Sequence, residues 1–145
     1  MANHDLTHLN SINLPSFAEP RGTLTLVDLR QQKEALPFDV QRIFWITDVP
    51  EGATRGAHAH QHCWEALVAV SGSFKLKVCN GHDEPWTEVV DRPDKAVVVP
   101  PLVWCELYDF TPGTVCLCLA SGNYDEEGYL KDFNEFIDFV KDTGR

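Results

Sequence analysis

The sequence predicts an all-β fold: an antiparallel β-barrel with one C-terminal α-helix packed on it. Three observations carry this. From Arg21 onward, short strand-like runs recur at regular spacing between Gly, Pro and Asn turns. Near the C-terminus the apolar period lengthens from two to that of a helix. Between them, His58 and His60 stand at i and i+2 in strand-like sequence. That spacing points both imidazoles to one side, which in a barrel is the interior.

Taken in order, residues 1–20 read as a polar, loop-like arm ending at Pro20. Residues 22–27 (GTLTLV) form the first predicted strand, and 43–47 (IFWIT) the second, followed by a turn at Pro50-Glu51-Gly52. Residues 67–70 and 73–79 flank Ser71-Gly72, a compact hairpin signal. Phe74, Leu76 and Val78 alternate with Lys75 and Lys77, so that arm has a buried face and a wet one. After a turn at Asn80-Gly81, the runs 86–90, 96–99, 104–107 and 114–119 complete the set. Tyr129, Phe133, Phe136, Ile137 and Val140 then recur at helical intervals, predicting a helix over about 126–142. There are no repeats or linker, and 145 residues suit one domain spanning 1–145.

A formal net charge of −10 argues against nucleic acid or an anionic membrane as partner, while a small phosphorylated ligand held by local arginines remains compatible. No apolar run approaches the roughly 18 residues of a membrane helix. The five cysteines are odd in number and form no CxxC pair, and the N-terminus lacks signal-peptide character. These features predict reduced thiols and a cytoplasmic protein.

Gly52, His58, His60, Glu65 and Gly72 share the spacing of the first cupin-barrel motif. Two imidazoles facing one cavity can bind a metal or move protons near neutral pH. As a metal site, His58 and His60 would be joined by Glu65 and by Cys105, which stands where cupins usually carry a histidine. As acid and base they need no metal: a neutral ring takes a proton from a carbon beside a carbonyl, and the other ring polarises the oxygen. This fits isomerisation of a ketosugar through an enediol. Arg55 could hold a phosphate or sugar oxygen at the barrel mouth, and Arg21 could do likewise. Glu65, among apolar neighbours, should pair with a histidine, an arginine or a metal. Trp104, Tyr108 and Trp45 read first as core, with Trp104 kept as a candidate substrate contact. His4, His8, His62 and His82 read as surface residues.

Further residues extend the pattern over most of the chain: Pro20-Arg21-Gly22, Phe38, Arg42-Ile43-Phe44-Trp45-Ile46, Arg55-Gly56-Ala57-His58-Ala59-His60, Ser71-Gly72-Ser73, Val99-Pro100-Pro101, Trp104, Tyr108-Asp109-Phe110, Leu119-Ala120-Ser121 and Tyr124-Asp125-Glu126. The chain thereby resembles the WxcM-like small cupins that act as dTDP-4-keto-6-deoxyhexose 3,4-ketoisomerases. The resemblance implies a jelly-roll homodimer with strands exchanged between subunits. It also implies a dTDP-linked deoxysugar as substrate, no metal or other cofactor, and catalysis by His58 and His60 with Arg55 beside them. Three positions depart from the family pattern. Phe44-Trp45 stands where a tyrosine is usual, Cys105 replaces a histidine, and Glu65 replaces a glutamine. The competing class is a non-isomerase cupin, either a metal-dependent enzyme or an inactive sugar-nucleotide binding protein.

Overall fold

A computed structural model describes residues 6–30, 36–122 and 128–144. Within them lie twelve strands: β1 (Asn10–Asn13), β2 (Ser16–Glu19), β3 (Gly22–Thr25), β4 (Arg42–Ile46), β5 (Arg55–His60), β6 (Glu65–Ser71), β7 (Phe74–Cys79), β8 (Trp86–Val90), β9 (Lys95–Val99), β10 (Trp104–Tyr108), β11 (Val115–Ala120) and β12 (Tyr129–Leu130). One helix, α1 (Phe133–Thr143), follows. The strands form two five-stranded antiparallel sheets, ordered β1-β9-β6-β11-β4 and β12-β5-β10-β7-β8, and a separate hairpin of β2 with β3.

Alternation along the strands builds the interior. Phe74, Leu76 and Val78 on β7 are fully buried, while Lys77 is exposed. They meet Leu67, Val97, Val99, Cys116 and Cys118 of the opposite sheet in one core cluster. A second cluster lies outside the first sheet, where Leu14 and Leu36 cover Ala66, Val68 and Val98. A third joins the second sheet to α1 through Ala59, Trp104, Leu130, Phe136 and Val140. The β6–β7 turn requires glycine: Gly72 has φ +72°, and a Cβ there would run into the Thr114 side chain and lie 2.8 Å from Thr111 Oγ1.

Two expectations are corrected. The polar arm contains β1 and β2. β1 has one apolar residue in four, Ile12, and is held by pairing with β9 rather than by an apolar face. Within the described part of the expected span, α1 starts at Phe133, and 129–130 are not helical. Tyr129 and Leu130 are a strand whose Cα partners are His60 and Ala59. Asp132 caps the helix: its Oδ1 accepts from the Glu135 N–H at 3.0 Å, and its carbonyl accepts the first helical bond, from the Phe136 N–H at 2.9 Å. Tyr129, Phe133 and Phe136 fit a helical period by spacing alone. His4, Tyr124-Asp125-Glu126 and the expected helix start lie outside the described residues.

Candidate active site

The site begins with a break in β5. Gly56 has φ +81° and Ala57 φ +58°, and the register against β10 shifts between Cys105 and Glu106. A Cβ on Gly56 would lie 3.0 Å from the Cys105 carbonyl oxygen, a tight approach at a positive φ that favours glycine. Ala57 holds a left-handed backbone without that freedom, at a cost on the order of 1 kcal/mol. Beyond this bulge the strand alternates regularly, and His58 and His60 share the inward face.

They line a cavity of about 410 Å³ together with Glu65, Arg42, Arg55 and Tyr129. Phe44, Ile46, Leu67 and Val99 give it an apolar wall. The two imidazole centroids are 4.8 Å apart with planes at 84°. The Tyr129 ring lies 4.8 Å from that of His58 and 4.6 Å from that of His60. His60 Nε2 and Glu65 Oε1 are 2.9 Å apart, both largely shielded from water.

Burial by itself would raise the Glu65 carboxyl, but the His60 hydrogen bond and the charges of His60, His58 and Arg42 outweigh it and hold the group below its ordinary value. An ionised carboxylate only accepts, so His60 Nε2–H is the donor. His58 is also pushed down. Burial is the main cause and the His60 charge the next; Glu65 and a hydrogen bond to the Gly56 backbone oppose them, and the Lys131 charge adds a little more lowering. His58 is therefore a neutral imidazole at pH 7, able to accept a proton.

The expected site residues fare differently. His58, His60, Glu65 and Arg55 come together at the cavity. His58, His60 and Glu65 offer ligand atoms within 4.8 Å of one another, but Cys105 is not part of that group, so the four-ligand set expected for a metal reduces to three among the described residues. Cys105 does line the cavity, as a thiol pushed well up by burial and by the charges of Glu65 and Glu88. Trp104 is corrected from substrate contact to core: it packs against Phe133 and Phe136 of α1, on the side of β10 opposite to Cys105. Arg21 is absent from the cavity lining, and its exposed guanidinium bonds Glu19. Trp45, read as core, is 65% exposed.

Arg42 and Tyr129 were not expected as site residues. The signal for Arg42 is parity on β4: Arg42, Phe44 and Ile46 line the cavity, while Ile43 and Trp45 point out. Parity also identifies Phe44 as the cavity-facing member of the Phe44-Trp45 pair. Tyr129 carries no comparable signal, because a two-residue strand has no period.

Comparison with known proteins agrees with this architecture. A curated relative from Aneurinibacillus thermoaerophilus, a TDP-4-oxo-6-deoxy-alpha-D-glucose-3,4-oxoisomerase, is 30% identical over 129 residues, covering 89% of this chain and 90% of the relative. QdtA, a sugar 3,4-ketoisomerase from Thermoanaerobacterium thermosaccharolyticum solved with TDP, superposes with a TM-score of 0.88 at 34% identity, over 96% of this chain and 98% of QdtA. A histidine-to-asparagine variant of QdtA, solved with TDP-4-keto-6-deoxyglucose, gives a TM-score of 0.86 at 34% identity, over 92% and 94% of the two chains. The family described as FdtA: WxcM-like, C-terminal matches residues 7–141. On this match over nearly its whole length, the chain belongs to the FdtA family of WxcM-like proteins.

Proposed function

We propose that the chain is a nucleotide-sugar 3,4-ketoisomerase. It moves the keto group of a dTDP-linked 4-keto-6-deoxyhexose from C4 to C3. The observation that carries this is a pair of imidazoles in one cavity, one of them held neutral. The relatives named above act on TDP-linked sugars of this kind. Neutral His58 takes the C3 proton, and His60, braced by Glu65, polarises the oxygen of the enediol. Arg42 and Arg55 are cationic groups beside the cavity in a chain of net charge −10, suited to sugar oxygens or the diphosphate. The apolar wall suits a 6-methyl group. We further infer that the chain is one cupin domain acting as a homodimer.

The test is proton NMR of dTDP-4-keto-6-deoxyglucose with the protein in D2O. The expected result is deuterium exchange at C3 together with appearance of the 3-keto product. Wild-type protein that leaves the C3 proton untouched would overturn the assignment. Since His58, His60 and Glu65 could gather round an ion, the assay is repeated after chelation. Acid–base catalysis predicts an unchanged rate, and loss of activity restored by metal would favour a metal enzyme.

A further inference from the structure

We propose that Tyr129 is a catalytic residue of this reaction, its phenol carrying a proton between the two oxygens of the enediol. The inference rests on the ketoisomerase reading. Moving a keto group from C4 to C3 requires two transfers: hydrogen from C3 to C4, and a proton from the C3 oxygen to the C4 oxygen. A single imidazole can perform the carbon leg. The oxygen leg needs a group that first gives a proton and then takes one back.

Most of the cavity wall cannot do this. Phe44 and Ile46 have no proton to give. Cys105 is a buried thiol disfavoured as a thiolate. His60 gives its Nε2–H to Glu65 at 2.9 Å, which suits it to polarising the oxygen rather than to shuttling a proton between two oxygens, and arginine does not give up its proton. Tyr129 is placed differently. β12 seats it directly across from His60, with its ring against both imidazoles at 4.6 and 4.8 Å. It borders the main cavity and also a smaller adjoining pocket shared with Arg42, His62 and Ser121. Lys131 Nζ stands 5.6 Å from its ring centroid, placing positive charge near the group that becomes negative on losing a proton.

The step balances. His58 takes the proton from C3, and the C3–H electron pair becomes the C3=C4 bond. The C4=O π pair moves to oxygen, which takes the Tyr129 proton, leaving an enediol and a phenolate. The phenolate then takes the proton from the C3 hydroxyl, whose O–H pair forms C3=O. The C3=C4 π pair takes the proton back from His58 at C4, so both residues are regenerated.

Tyr129→Phe keeps the ring against the histidines and removes only the hydroxyl. We expect turnover to fall about 10²–10⁴-fold, with dTDP affinity by calorimetry unchanged. Turnover within a few-fold of wild type would show that only the ring matters and would overturn the proposal. As a check independent of folding, Tyr129→3-fluorotyrosine makes the phenol more acidic at constant shape. The alkaline limb of the rate profile should move to lower pH, and an unmoved limb counts against the proposal. The two readings fail separately. Active wild type with an unaffected Tyr129→Phe variant sinks only the role of Tyr129, whereas inactive wild type sinks the ketoisomerase reading and this step with it.

Discussion

Burial holds His58 below the ordinary 6.5, and the neighbouring His60 charge pushes the same way. A base must be unprotonated, so the rate should be flat near pH 7 and fall about tenfold per pH unit below the lowered pKa. A pH profile of kcat/KM checks this, and an acid limb above 6.5 would contradict it. His58→Asn and His60→Asn should each lower turnover about 10²–10⁴-fold. They should differ in stability. His60→Asn leaves the Glu65 carboxylate without its donor, costing about 1–3 kcal/mol, whereas His58 makes no hydrogen bond to Glu65. The linkage has a definite sign. With a folded pKa below the unfolded one, the unfolded chain binds more protons, so the His58 contribution is present above about 6.5 and lost as pH falls. Glu65 works in the same direction below its ordinary 4.5. Protonating either group weakens the fold.

At the scale of elements, α1 is the outer support of β5. Phe136 and Val140 are fully buried in a cluster with Ala59, which sits between the two histidines and faces away from the cavity. The helix therefore backs the strand that aims them. Its ends are well formed: Asp132 caps the start, and Gly144 ends it in a left-handed conformation, φ +70°, donating to the Lys141 carbonyl. Phe136→Ala should cost about 3–5 kcal/mol, as for other fully buried aromatic truncations. Denaturant melts would measure this, and a loss under about 1 kcal/mol would mean the helix is peripheral. The β6–β7 hairpin plays a similar part. The Ser73 N–H donates to Thr111 Oγ1 at 3.0 Å, tying the turn to the segment before β11.

For the whole molecule, the outstanding surface feature is apolar. Phe17 and Leu24 face each other across the β2–β3 hairpin and are 58% and 62% exposed. Nearby in the fold, Leu26, Leu29, Ile43, Val70 and Leu117 line an open groove. Monomers rarely leave so much apolar surface together. A second copy laying its own hairpin across this face is the occupant we infer. Light scattering at micromolar concentration should return twice the 16.3 kDa chain mass, and Leu24→Asp should shift it toward one. A wild-type mass of one chain would refute the dimer. Among the described residues, no helix is long and apolar enough to cross a membrane.

The sequence by itself determined the barrel, most of its strands and the histidine pair. Those are local signals: alternation on β7, a glycine that only a tight turn requires, and i, i+2 spacing on β5. Arg42 was equally legible through the parity of β4. What only the tertiary structure decided involves partners far apart in sequence. β1 and β12 exist because β9 and β5 supply their hydrogen bonds, and neither carries an apolar face that periodicity could detect. The protonation of His58 depends on how deeply the fold buries it. Trp104 and Cys105 are adjacent in sequence, yet the strand turns one to the helix and the other to the cavity. Tyr129 reaches the site from 69 residues beyond His60, the difference of the two residue numbers, and only strand pairing brings that distance to ring contact.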